Sequence, residues 1–164
     1  MGVGRLVEIL EPTDFEKDQY EQMKNLMREL CELTGEKYSE RRFRGAVRRR
    51  ILDRSGSKGV ILADDNGLAV GMVFWDVVSS PSAETYAYLS NFIISGPYRK
   101  KKIGKMLMER LEEILLERNI SRIDSNIRNL EAEGRFFESL GFKHKYCVVT
   151  KTLFPRKDES AEEK

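Results

Sequence analysis

The stretch Tyr98-Arg99-Lys100-Lys101-Lys102-Ile103-Gly104 concentrates four cations and one glycine in seven residues, and Lys105-Met106-Leu107-Met108 follows as the start of an amphipathic run. Ahead of it lie a strand-like segment, residues 85–95, and Gly96-Pro97. A strand–turn–helix junction is a natural anion site. The first N–H groups of a helix have no acceptor within it, and the helix dipole adds partial positive charge at the same end. Arg99, Lys100, Lys101, Lys102 and Lys105 would add full charges, and a glycine at 104 allows a close approach to the backbone. Local chemistry leaves two readings open: a cradle for a pyrophosphate, or a solvated basic loop ahead of a helix.

Other residue types narrow the chemistry. Two cysteines, Cys31 and Cys147, and one histidine, His144, give no metal-ligand spacing, so no metal site is expected. The cysteines read as reduced, partly buried thiols, and Cys147 has no neighbouring base that would make it an acyl carrier. The net charge of +2 is too small to argue for nucleic acid or a membrane surface, so the basic residues matter through clustering. No apolar run reaches the roughly 20 residues of a membrane span. MGVGRLVEIL lacks the features of a secretory signal, and a cytoplasmic protein is expected.

The elements that must position these residues can be read from periodicity. Residues 7–12 read as a strand ended by Pro12, with Thr13 or Asp14 as cap of the next helix. Tyr20, Met23, Leu26, Met27, Leu30 and Leu33 give that helix one apolar face, closed by Gly35. Ser39 caps a second helix over 39–54, with Phe43, Val47 and Ile51 inward. Two β-rich runs flank Asp65-Asn66-Gly67, a hairpin signal. Strand 85–95, helix 103–119, strand 122–127, helix 130–140 and a last strand over 143–153 complete the order β-α-α-β-β-β-α-β-α-β. The fold class is α/β, a single domain over 1–154 with a mixed, mostly antiparallel sheet flanked by helices, and 155–164 form a polar tail expected to be disordered.

At this point the sequence resembles the GNAT superfamily, the acetyl-CoA-dependent N-acyltransferases. Their signature is Arg or Gln, two variable residues, Gly, one variable residue and Gly or Ala, between a strand and a helix; here it reads Arg99-Lys100-Lys101-Lys102-Ile103-Gly104. Asn91-Phe92-Ile93-Ile94 matches the apolar strand before that loop. Asn129, followed by Phe136-Phe137-Glu138-Ser139-Leu140-Gly141-Phe142, matches a later helix and its Gly-Phe ending. The element order corresponds over about 6–153, and the specific motifs lie within 89–142. The resemblance implies a GNAT-like fold with acetyl-CoA as acyl donor. Residues 99–105 would hold its pyrophosphate, and the backbone of Phe92, Ile93 and Ile94 would pair with its pantetheine arm. An N–H of Phe92 or Ile93 would polarise the thioester carbonyl, and Asn129 and Phe137 would border the cofactor. The implied reaction is direct attack by an amine of a protein terminus, a lysine or a small molecule in a ternary complex.

Four positions depart from the family pattern. Lys102 stands where the signature has its first glycine. Tyr88 and Ser90 fall where many members carry a catalytic Glu, and neither is a general base at neutral pH without strong perturbation. Phe137 replaces a proton-donating Tyr; Tyr146 and His144 are the nearby substitutes, so the catalytic candidates are Tyr88, Ser90 and Tyr146. Arg41, Arg42, Arg44, Arg48, Arg49 and Arg50 read first as the solvated face of the second helix. The functional alternative is that some meet an acidic acceptor, a small molecule or a peptide. Trp75 reads as core, and a homodimer is compatible with the sequence. Two other functions stay in view: a catalytically weak acyl-CoA-binding module, and, less favoured, a nucleic-acid-binding protein using the arginine-rich helix.

Overall fold

The computed structural model describes residues 6–153. The tail expected over 155–164 lies outside them. Five strands form one sheet in the order of the chain, β1 (Val7–Leu10), β2 (Lys58–Asp65), β3 (Leu68–Ser80), β4 (Ala83–Ile94) and β5 (Ile123–Ser125). The first four pair antiparallel; β5 alone runs parallel to its neighbour β4. Four helices cover the sheet: α1 (Lys17–Thr34), α2 (Glu40–Ile51), α3 (Ile103–Leu116) and α4 (Leu130–Ser139). This is the α/β class expected, in the expected element order as far as α4.

Alternation along the strands builds two cores. Ile61, Ala63, Val73, Trp75, Ala87 and Leu89 face α3 and α4, and join Leu107, Leu111 and Phe137. The other face sends Val60, Leu62, Met72, Phe74 and Ile93 to the apolar stripes of α1 and α2. Burial on both faces explains why β2 and β3 read as near-continuous apolar runs.

Most boundary signals act as read. Gly35 closes α1 in the left-handed region at φ 78°, with its N–H on the Cys31 carbonyl. The Ser39 hydroxyl accepts from Arg42 N–H at 3.3 Å. Asn66 and Gly67, both at positive φ, turn the β2–β3 hairpin. Two expectations are corrected. Helix α1 starts three residues beyond Asp14, with Glu16 as an N-cap that makes no side-chain bond. The last strand does not form: residues 143–153 pair with no strand among the described residues, and Val149 is 94% exposed. Strand propensity there finds no neighbouring backbone to pair with. Cys31 is buried as read, whereas Cys147, on that same segment, is exposed.

Candidate active site

The site begins with a defect in β4. Met72 pairs with Ile93 and Phe74 with Ser90, so β4 carries one extra residue against β3. Asn91 absorbs it at φ 49°, a left-handed conformation that Asn tolerates better than most side chains. On the other edge of β4, pairing with β5 ends at Leu89↔Ser125. From Ser90 to Ile94 this β4 edge therefore has no strand beside it among the described residues, and the two parallel strands part. Phe92, Ile93 and Ile94 are anchored by buried side chains, so this free edge is rigid.

The free edge runs into the basic turn. A 3-10 turn over Gly96–Tyr98 leads to Lys100 and Lys102, at φ 65° and 63°. The first helical bond of α3 runs from Met106 N–H to the Lys102 carbonyl. The N–H groups of Ile103, Gly104 and Lys105 precede it, and no side chain caps the helix. Lys100, Lys101, Lys102 and Lys105 are exposed around this end. An uncapped helix start ringed by ammonium groups fits a pyrophosphate, and the free β4 edge fits an amide-bearing arm. The left-handed φ of Lys102 also explains the family's glycine there, since a side chain in that region costs about 1–2 kcal/mol.

The structure gives two signature residues structural work as well. The Arg99 Nε donates to the Ile94 carbonyl at 3.0 Å, and its Nη2 donates to Glu29 at 2.8 Å. Glu29 also accepts from Gly96 N–H, so Arg99 fixes the turn to β4 and α1. Gly104 is buried against α4: a Cβ there would lie 2.8 Å from Phe136 Cε2. The glycine is needed for helix–helix approach, a reason that the motif spacing did not reveal. Ile103 is buried in the core beneath it. Tyr98 donates to Asp65 at 2.7 Å and ties the turn to the end of β2.

Where β4 and β5 part, a small cavity of about 20 Å³ is lined in part by Leu30, Ser90, Phe92, Asn126 and Phe137. Asn129 caps α4 by accepting from Ala132 N–H, while its amide donates to the Leu33 carbonyl. Arg128 and Glu36 form an ion pair beside it. These contacts strap the end of α1 to the start of α4 across the cleft. Phe137 is buried edge-on against Phe92, Phe136 and Phe142.

The catalytic candidates divide. Tyr88 stands on β4 directly between Asp76 of β3 and Asp124 of β5, so the three side chains share the α1–α2 face. Ser90 is two residues along the same face, at the cleft. Tyr146 is 61% exposed and reaches Asp124 Oδ2 at 3.4 Å. The negative charge of Asp124, then partial desolvation, raises the Tyr146 pKa and keeps its phenol protonated. Asp124 is held by Arg122 through bonds of 3.1 and 3.0 Å, and the Arg122 guanidinium lies 4.2 Å from the Tyr86 ring centre. His144 lies on the exposed segment after α4. The reading from sequence missed Asp76 and Asp124; the one signal was a lone acid between apolar residues in Trp75-Asp76-Val77.

On the acceptor side, Arg50 pairs with Asp76 at 2.6 Å, and Arg44 and Arg48 lie over the Phe15 ring. Trp75 is core, as read, with Arg118 over its ring. Among the described residues no group of three or more His, Cys, Asp and Glu could hold a metal, and no helix is long and apolar enough to cross a membrane.

A free strand edge leads directly into an uncapped, basic helix start. The family model for the Acetyltransferase (GNAT) family matches residues 20–142, and the chain belongs to that family. Among solved structures, the chain is similar to glucosamine-6-phosphate N-acetyltransferase from Arabidopsis thaliana, at 12% identity and TM-score 0.66, over 91% of this chain and 99% of that one. A predicted acetyltransferase from Clostridium acetobutylicum with acetyl-CoA is similar at 12% identity and TM-score 0.72, over 90% and 97%. Aminoglycoside 6'-N-acetyltransferase from Acinetobacter haemolyticus is similar at 15% identity and TM-score 0.71, over 92% and 99%. At these identities the likeness is one of fold. No curated protein matches the chain in sequence.

Proposed function

We propose that this protein is an N-acetyltransferase that moves an acetyl group from acetyl-CoA to an amine. The observation that carries the reading is the continuity of the unpaired β4 edge, Ser90 to Ile94, with the uncapped, lysine-ringed start of α3. Acetyl-CoA supplies the activated acyl group as a thioester. Lys100, Lys101, Lys102 and Lys105, with the N–H groups of Ile103, Gly104 and Lys105, hold its pyrophosphate. Phe92, Ile93 and Ile94 present their backbone to its amide arm, and an N–H of Phe92 or Ile93 faces the carbonyl oxygen where charge develops. Arg99 and Asn129 keep the walls of the cleft in place.

The acceptor is the amine of a protein terminus, a lysine or a small molecule. Its nitrogen bonds to the carbonyl carbon, the carbon–sulfur bond breaks, and one proton leaves nitrogen while one reaches sulfur. Tyr88 and Ser90, on the face shared with Asp124, orient a water chain that carries the first proton away to solvent. Tyr146, hydrogen-bonded to Asp124, takes the donor role that Phe137 lacks. The exposed arginines of α2 favour an acceptor that also carries an acidic group. The absence of a carboxylate at Tyr88 and of a phenol at Phe137 favours a second reading, an acyl-CoA-binding module with weak chemistry. Calorimetric titration with acetyl-CoA, followed by thiol release against a panel of amines, separates the two. Binding with turnover supports the enzyme, binding without turnover the module, and no binding refutes both.

A further inference from the structure

The arginines of α2 lie away from the cleft. Helix α1 packs over β3 and β4, beside the gap between β4 and β5, whereas α2 packs over β2. Arg41, Arg44, Arg48 and Arg49 are exposed on the side of α2 opposite Phe43, Val47 and Ile51. Among the described residues no carboxylate pairs with any of the four. The helix carries this charge at a cost to itself. Arg41 stands in the first turn, where the helix dipole disfavours a cation. Arg44 and Arg48 are like charges one turn apart, both over the Phe15 ring, at 5.8 and 5.4 Å from its centre. Gly45 stands mid-helix, where glycine is the least favourable residue short of proline. A Cβ there would lie 3.0 Å from Arg49 Nη1, so the missing side chain lets that guanidinium fold back over position 45, between Arg41 and Arg48 on the same stripe. Four guanidinium groups gathered at this cost and left without a counter-charge fit an anionic partner.

Distance sets the size of that partner. Neighbouring strands are about 4.8 Å apart, so the gap beside β4 lies about 12 Å across from β2. The outer side of α2 stands a further helix diameter, about 10 Å, off the sheet. An acceptor that reaches both places spans about 16 Å, or roughly five extended residues. A small amine is too short. We propose that Arg41, Arg44, Arg48 and Arg49 dock an acidic segment of a protein acceptor, about five or more residues along its chain from the amine that is acetylated. The docking role rests on the acetyltransferase reading and narrows its acceptor to a protein. Nucleic acid fits this surface less well. Asp14 and Glu16, both exposed, flank Phe15 beside the stripe and would repel a phosphate backbone. Phe15 itself lies under Arg44 and Arg48, so its ring offers no platform for a base. The carboxylates of a flexible peptide can meet the guanidinium forks one by one while staying clear of those acids.

The test is the binding of two fluorescein-labelled synthetic peptides to the full chain, followed by anisotropy at low ionic strength. One peptide carries a lysine, six glycine and serine residues and then four glutamates; the other has glutamine for each glutamate. Wild type is compared with an Arg41→Glu, Arg44→Glu, Arg48→Glu variant, and far-ultraviolet circular dichroism checks that the variant folds. Should the charge reversal unfold α2, Arg41→Gln, Arg44→Gln, Arg48→Gln carries the same test. Wild type should bind the glutamate peptide about tenfold more tightly than the glutamine peptide, the sum of several exposed ion pairs. The variant should lose that preference, while its affinity for acetyl-CoA in calorimetry stays at the wild-type value. Equal binding of the two peptides by wild type, or a preference that survives in the variant, would overturn the proposal. Tighter binding of a single-stranded oligothymidylate through the same arginines would overturn it as well. Binding as expected with no thiol released from acetyl-CoA would count against the acetyltransferase reading and not against the docking of an acidic segment.

Discussion

Replacing Gly104 by alanine tests whether helix approach, and not only cofactor access, demands glycine there. The added Cβ would lie 2.8 Å from Phe136 Cε2 and 3.2 Å from its Cζ, closer than packed carbons come. The Phe136 ring is held in turn by Phe92 and Phe137, with centroids 4.8 and 5.5 Å away, so it cannot simply swing aside. Overpacking of this kind costs about 1–3 kcal/mol. For a chain of this size each kcal/mol moves Tm by about 2–4 °C, so a fall of roughly 2–12 °C is expected in calorimetry or thermal circular dichroism. The double variant Gly104→Ala with Phe136→Leu should recover much of that loss, because a flatter contact is replaced by one that can repack; the two effects should be non-additive by ~0.5 kcal/mol or more. An unchanged Tm for Gly104→Ala, or strict additivity in the double variant, would refute the packing argument and return Gly104 to a role in ligand approach alone.

Tyr146→Phe should lower kcat by about 10²-fold, a typical loss for a positioned proton donor, while acetyl-CoA affinity measured by calorimetry stays unchanged; an unaltered kcat would remove Tyr146 from the mechanism. A second prediction concerns pH. Burial works to raise the Glu40 pKa, but bonds donated by Tyr38 and Tyr20 and the charges of Lys24 and Arg28 win and hold it below the ordinary value. Its stabilisation is thus present above the unfolded pKa and disappears as pH falls through the depressed folded value. Burial, then the Glu40 bond, pushes Tyr20 up to about 12, so its contribution is full below pH 10 and is lost as pH rises toward that value. Denaturant unfolding against pH should therefore weaken at both ends, and Tyr20→Phe should flatten the alkaline limb; a variant curve parallel to wild type would contradict this.

The parts of the fold legible in sequence were those set by local rules. Gly35, Ser39 and Asn66-Gly67 each act through their own backbone, and the stripes of α1 and α3 follow from one helical period. The start of α1 was less legible because Glu16 makes no cap bond that composition could signal. The segment 143–153 has strand composition but pairing needs a neighbour, which no local rule supplies. The basic turn was visible as a cation cluster, yet that Arg99 is engaged by Ile94 and Glu29 depends on a contact seventy residues away in sequence. Asp76, Tyr88 and Asp124 become one row only through the register of three strands.

The most direct test of the central claim is calorimetric titration of acetyl-CoA, desulfo-CoA and ATP into the wild type and into a Lys100→Glu, Lys101→Glu, Lys102→Glu variant. These three side chains are exposed, so the reversal leaves the core untouched. Wild type should bind both CoA ligands tightly and ATP far more weakly, and the variant should lose at least about tenfold in affinity for CoA, the equivalent of 1.4 kcal/mol. Equal affinity of variant and wild type for acetyl-CoA, or no binding by either, would contradict the assignment of the basic turn and the β4 edge as the acetyl-CoA site.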